Sequence, residues 1–312
     1  MPSDSQAELF TTIRALVAKS SGHDLVLRDT AAGSAHISNH TGGCVAADEL
    51  RDLAFALIDA GHQVKAAPTG LRVTNDTGEE LTVSAEAAGS DATLSDATIE
   101  TIYWANFYAH VTYDSGSTFQ AAVDSLPDAP KSIVDIGCGD GRDSFAFGRA
   151  GRKVVGIDRS HIGVQHASKH SAELGLGELV SFRAIDVSDV DAVRAVLTEV
   201  TSDSPDAPVL FYMRFFLHSI PADVQDGLLT VISEVARPND VLAAEFRTDK
   251  DEALTKVHGG HFRRYQNAAD FRASLVGQYG FDQVLTEDQG TGLSPYRDED
   301  PELYRVIARR SS

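Results

Sequence analysis

Three glycines at alternate positions, Gly137, Gly139 and Gly141, stand in the stretch VDIGCGDGRDS, residues 134–144, directly after an apolar run that ends in Asp135. A chain leaving a strand there must turn sharply and let its backbone approach a ligand, and glycine permits both. Two further acids stand at matching places. Asp158 closes the apolar run VVGID, 17 positions after Gly141, and Asp186 closes VSFRAID. A carboxylate at the first place can accept both hydroxyl hydrogens of a ribose, and one at the second can accept from an exocyclic amino group. Arg142, immediately after the bend, can offer a bidentate fork to a carboxylate. Asp143 and Ser144 read as polar groups of a first helical turn.

These residues need a scaffold, and the chain supplies strand and helix in turn. KSIVDIG, KVVGID, VSFRAID, PVLFYMRF and DVLAAEF read as buried strands, with amphipathic segments such as DSFAFGRAG, IGVQHASKHSAELG, DAVRAVLTEV and ADVQDGLLTVISEVA between them. Apolar strands alternating with amphipathic helices predict a doubly wound, mostly parallel α/β sheet covered on both faces. Ligands in such sheets bind outside the carboxyl ends of the strands, where strand order reverses. At 312 residues the chain exceeds the roughly 250 at which single cores stop growing. The composition turns small and acidic over residues 75–98. The reading is therefore a small α+β unit over 1–98, with helical patterns in ELFTTIRALVAKS and ADELRDLAFALIDAG, followed by an α/β unit over 99–312.

Composition narrows the partners. The net charge of -19, from 46 acidic and 27 basic residues, disfavours nucleic acid and anionic membrane surfaces. No apolar run approaches the roughly 20 residues of a membrane span, and the first residues lack the pattern of a secretory signal. Cys44 and Cys138, far apart, suit a reducing cytoplasm better than a disulfide framework or a cysteine-built metal cluster. Glu245, Asp249 and His218 show no tight ligand spacing, so no metal is expected. A homo-oligomer is compatible with all of this.

Residues 131–186 resemble the cofactor half of the class I S-adenosylmethionine-dependent methyltransferases: VDIGCGDG matches that family's first motif, distinct from the dinucleotide G-x-G-x-x-G. The resemblance covers roughly residues 100–312. It implies a Rossmann-like fold, S-adenosylmethionine as cofactor and a small-molecule or glycan acceptor. It also implies that Asp135, Gly137, Cys138, Gly139, Gly141 and Arg142 underlie the methionine part, that Asp158 with Arg159 holds the ribose, and that Asp186 with Val187 meets the adenine. Charge agrees, since a sulfonium and an amino group favour nearby carboxylates where a pyrophosphate would be repelled by Asp135 and Asp140.

The third quarter suggests the chemistry. VLFYMRFFLHSI leaves a strand where this fold places catalytic groups, and Arg214 and His218, four apart, share a face if the segment is helical. His218 is then the candidate general base, with Glu245 orienting it or meeting substrate hydroxyls. Arg214, Arg247, His261 and Arg264, with His258 and Arg263 nearby, concentrate positive charge suited to an anionic or polyhydroxylated substrate. RFFLHSI, EFRT, HFRRY and GLSPYRDEDPELYRVIAR are similar to bacterial methyltransferases found with polysaccharide biosynthesis, which implies O-methylation of a sugar or glycan. In that likeness YWANFYAHVTYDSG forms a helical lid whose Trp104, Tyr108 and Tyr113 stack on sugar faces or cover the cofactor. The alternatives are an amine, thiol or metalloid oxyanion acceptor, and a non-catalytic scaffold built on the cofactor fold.

Overall fold

The computed structural model describes residues 4–20, 25–31, 33–39, 45–85, 93–110, 115–256, 262–295 and 299–311. The chain divides into two compact units, Met1–Val111 and Thr112–Ser312.

In the first unit the elements run α1 (Asp4–Ser20), β1 (Leu25–Ala31), β2 (Ser34–Asn39), α2 (Ala47–Asp59), β3 (Gln63–Ala67), β4 (Gly70–Thr74), β5 (Glu80–Ala85) and α3 (Asp96–His110). The sheet order is β1-β2-β5-β4-β3, and only β2 and β5 are parallel. Alternation buries Leu27, Ile37, Val83, Val73 and Val64 on one face. In α2 the buried Leu50, Leu53, Ala54, Leu57 and Ile58 form one stripe at helical spacing, and the Glu49 carboxylate accepts the Ala46 N–H at 2.9 Å to start the helix. Two features differ from the sequence reading. The acidic stretch expected to separate the units contains β5, whose Leu81, Val83 and Ala85 alternate inward with polar residues between. The break then falls at residue 111 rather than 98, because α3 packs on α2 and β3, where its Asn106 side chain accepts the Val64 N–H at 2.6 Å.

The second unit runs α4 (Thr118–Asp124), β6 (Ser132–Ile136), α5 (Arg142–Arg149), β7 (Lys153–Asp158), α6 (His161–Glu173), β8 (Val180–Ala184), α7 (Val190–Ser202), β9 (Val209–Arg214), a 3-10 turn (Leu217–Ser219), α8 (Ala222–Val235), β10 (Val241–Arg247), a second 3-10 turn (Asp249–Asp251), α9 (Ala268–Gly277), β11 (Gln283–Gly290) and β12 (Leu303–Arg309). Its sheet order is β11-β12-β10-β9-β6-β7-β8, parallel from β10 to β8, with β12 antiparallel to both neighbours. This is the expected α/β architecture; the antiparallel hairpin β11–β12 is an addition that strand alternation alone does not reveal. Val134, Ile136, Phe211, Met213 and Leu242 pack under α7, α8 and α9, while Ile133, Leu210, Tyr212 and Ala243 pack under α4, α5 and α6. Strand order reverses between β6 and β9, so a crevice opens beyond Ile136 and Arg214. Among the described residues no helix is long and apolar enough to cross a membrane.

Candidate active site

At the end of β6 the backbone folds back onto β7: the N–H groups of Gly137 and Cys138 both donate to the Ile157 carbonyl, at 2.8 and 3.1 Å. Gly141 closes the bend by donating to the Cys138 carbonyl at 2.9 Å and then caps α5. Gly137 and Gly141 hold φ of +75° and +84°, and a Cβ at the first would run into the Phe216 ring, while one at the second would lie 2.6 Å from the Phe182 ring. Only glycine meets both demands. Asp158, at the end of β7, accepts the Gly139 N–H at 3.0 Å and the Ser160 N–H at 2.8 Å, which ties the second strand exit to the bend. The Ile185 N–H donates to the Asp158 carbonyl and brings the exit of β8 alongside. There Asp186 is exposed, its Oδ1 accepting the Ser188 N–H and hydroxyl at 2.9 and 2.8 Å, while Val187 is buried in the core below.

Acid gathers around this bend. Burial, with the Asp143 and Asp158 charges adding to it, pushes Asp135 up to about 7 against the Ser144 hydroxyl that donates to it at 2.6 Å. Burial likewise pushes Asp140 up to about 6 and raises Asp158, which the Arg159 charge partly offsets. The Cys138 thiol is buried and raised well above its ordinary value, which keeps it neutral. These residues fit an adenosyl sulfonium: a cation over the bend stabilises ionised carboxylates that burial disfavours. Asp158 uses one lone pair of each oxygen on the backbone and keeps the others for hydroxyl donors. Asp186 Oδ2 remains available to an amino group.

The Arg142 guanidinium donates to the carbonyls of Ser115 and Gly116, at 3.0 and 3.4 Å, and so fastens the segment that leads into α4. Asp143 continues that fastening. It accepts the Ser117 N–H and hydroxyl and the Tyr212 hydroxyl, each at 2.7 Å. Sequence reading assigns Asp143 only a helix-end role, and no local signal ties it to residues 26 and 69 positions away.

Arg214 and His218 do not share a helical face. Arg214 is the last residue of β9, and Phe215 turns the chain with φ of +51° before the 3-10 turn that carries His218. Register places Arg214, Glu245 and Arg305 side by side on β9, β10 and β12. Glu245 is fully buried, paired with Arg214 at 3.0 Å and Arg305 at 2.5 Å, and it accepts the Ser294 hydroxyl at 3.1 Å. Its carboxylate is therefore committed to two arginines and a serine hydroxyl. Arg305, part of the stretch GLSPYRDEDPELYRVIAR, also donates to Thr118 Oγ1 and to the Leu293 carbonyl, at 2.6 and 2.8 Å.

His218 is 3% exposed, and its Nδ1 accepts the Arg247 N–H at 3.4 Å. The Arg247 guanidinium is taken by Asp251, at 2.8 Å, and by Glu299. Asp251 is nevertheless held below the usual carboxylate range: its burial opposes ionisation, and bonds from Arg247, the Glu302 amide and Lys256 outweigh it. Arg264 donates to the Ile220 and Leu217 carbonyls, both at 3.2 Å, and to Gln225, which pins the 3-10 turn. Arg247 thus holds buried acids, and Arg264 holds backbone carbonyls and Gln225. Tyr108 stacks on Trp104 at 5.8 Å within the first unit. His258, His261 and Tyr113 lie outside the described residues. No group of three or more metal-ligating side chains occurs among the described residues.

Residues 127–249 match the family model described as a methyltransferase domain. The ubiquinone biosynthesis O-methyltransferase of Ralstonia nicotianae is 39% identical over 68 residues, covering 22% of this chain and 26% of that protein. The cypemycin N-terminal methyltransferase of a Streptomyces species is 28% identical over 134 residues, covering 43% of this chain and 47% of that protein. The chain therefore spans between about a quarter and about half of the length of these curated relatives. A SAM-dependent methyltransferase from Anabaena variabilis superposes with a TM-score of 0.50 at 17% identity, over 67% of this chain and 92% of that one, a likeness of fold. With the glycine bend, the reversal of strand order and the family match all falling on the same segment, residues 127–249 are similar to a methyltransferase domain, and the second unit has the fold of a SAM-dependent methyltransferase.

Proposed function

We propose that this chain transfers the methyl group of S-adenosylmethionine to an oxygen of a small acceptor in the cytoplasm, with a sugar or glycan hydroxyl as the acceptor that its third-quarter motifs favour. The observation that carries the reading is the Gly137–Gly141 bend, ringed by Asp135, Asp140 and Asp158 at the point where strand order reverses. An in-line displacement at a carbon already activated by the sulfonium asks the protein for alignment and exclusion of water more than for covalent chemistry. Asp158 aligns the ribose and Asp186 the adenine. Asp135 and Asp140 then face the cationic end, and Arg214 is the candidate that remains for the acceptor side.

Calorimetry with S-adenosylhomocysteine tests the cofactor. Binding that is present in the full chain and lost in Asp158→Ala is expected, and an absence of heat in the unaltered chain rejects the reading. A panel of sugars, phenols and amines with methyl-labelled cofactor then assigns the acceptor. A nitrogen acceptor is the second reading, favoured by the longer of the two curated alignments, which is to the cypemycin N-terminal methyltransferase.

A further inference from the structure

We infer that His218 is a positioning residue, held neutral with its proton on Nε2, which clamps the exit of β9 to the exit of β10 and takes no proton from the acceptor. The Arg247 amide carries a hydrogen that it can only donate, and it is aimed at His218 Nδ1. That bond requires an unshared pair on Nδ1. In a neutral imidazole the proton then resides on Nε2. A base working through Nε2 needs the opposite tautomer, and an imidazolium would set a second N–H against the Arg247 N–H. Either change breaks the bond inside a buried site.

The surroundings serve the same clamping role. The His218 carbonyl accepts the Arg264 N–H at 2.7 Å, and the ring meets Phe215 edge-on at 5.6 Å. Phe215 in turn has the Arg214 and Arg247 guanidinium carbons at 4.8 and 5.5 Å from its ring centre, and its own N–H donates to the Glu245 carbonyl at 2.9 Å. Phe216, next in the chain, lies against Gly137. Residue 218 therefore joins three segments: its imidazole ties the turn that sets Phe216 on the cofactor bend to the end of β10, and its carbonyl holds the strap carrying Arg264. Moving the ring moves the floor of the crevice.

The inference rests on the methyl-transfer reading for its consequence, though not for its geometry. Asn places a carbonyl oxygen near the position of Nδ1 and cannot act as a base, so His218→Asn and His218→Ala separate the two roles. The expected result is that His218→Ala lowers kcat by about tenfold, the worth of one buried hydrogen bond. His218→Asn should restore most of that rate, and the pH–rate profile should keep the shape of the unaltered protein. A folded Asn variant that binds S-adenosylhomocysteine normally but is as slow as the Ala variant, with one limb of the profile gone, overturns the inference. Nitrogen-15 spectra of the unaltered protein give a second reading that needs no variant to be active. A protonated Nε2 and bare Nδ1 at His218 support the clamp, and the reverse tautomer rejects it. Failure of cofactor calorimetry would remove the methyl-transfer reading and leave this tautomer result untouched.

Discussion

Asp135 holds its proton almost to neutrality because burial costs its charged form more than the Ser144 hydroxyl returns. Its folded pKa of about 7 lies above the ordinary 3.8, so the native state binds the extra proton between those values. The stability it contributes is intact below the lower value and drains away as pH rises through the upper one. Asp135→Asn removes that slope. The variant should melt higher than the unaltered protein at pH 8, its stability greater by up to roughly 4 kcal/mol, while binding S-adenosylhomocysteine more weakly. Equal melting of the two at pH 8 would show that the acid is not desolvated. Gly137 offers a second test at this scale. Gly137→Ala incurs left-handed strain of about 1–2 kcal/mol and collides with Phe216. Adding Phe216→Ala should recover part of the lost cofactor affinity, a coupling that a double-mutant cycle measures directly. The bend and its acids are legible from sequence because their spacing is local: two strand ends and one turn place them, whatever the rest of the chain does.

Across elements, legibility ends where contacts become distant. From sequence, Glu245 reads as a substrate or orienting carboxylate because it closes a strand at the catalytic edge. The antiparallel β12, which sequence periodicity does not announce, delivers Arg305 to it across the sheet. In the same way Arg142 and Asp143 read as cofactor and helix-end groups, whereas in the fold residues 115–117 rest on them. Such pairs are set by register and topology, and no local pattern records them. They also carry a distinct energetic signature. Replacing one member of a buried ion pair strands the other, at about 3–5 kcal/mol. Glu245→Ala should therefore lower the stability read from the denaturant midpoint by that amount with an unchanged slope, and Arg305→Met should do nearly the same. A Glu245→Ala protein that is inactive yet as stable as the unaltered one would return the residue to a direct role in chemistry.

For the whole molecule, the question is where one folding unit ends. The composition change at residues 75–98 suggests a boundary there, but acidic and small residues do not prevent a strand whose Leu81, Val83 and Ala85 fill an inward row. Nor does the aromatic run YWANFY belong to the second unit. Ile102 and Ala105 are buried on α3, and Asn106 occupies a backbone donor of β3, so cutting ahead of α3 bares an apolar stripe on one fragment and an unmet N–H on the other. Two truncations separate the boundaries. A fragment beginning at residue 99 should express poorly or aggregate, because it retains α3 without the sheet and α2 that bury it. One beginning at residue 112 keeps β6 to β12 and the whole cofactor bend with both of its cores. It should unfold cooperatively and bind S-adenosylhomocysteine within a few-fold of the full chain. If its affinity instead collapses while it stays folded, the first unit contributes directly to the cofactor's environment, and acceptor assays on the separated pieces lose their meaning.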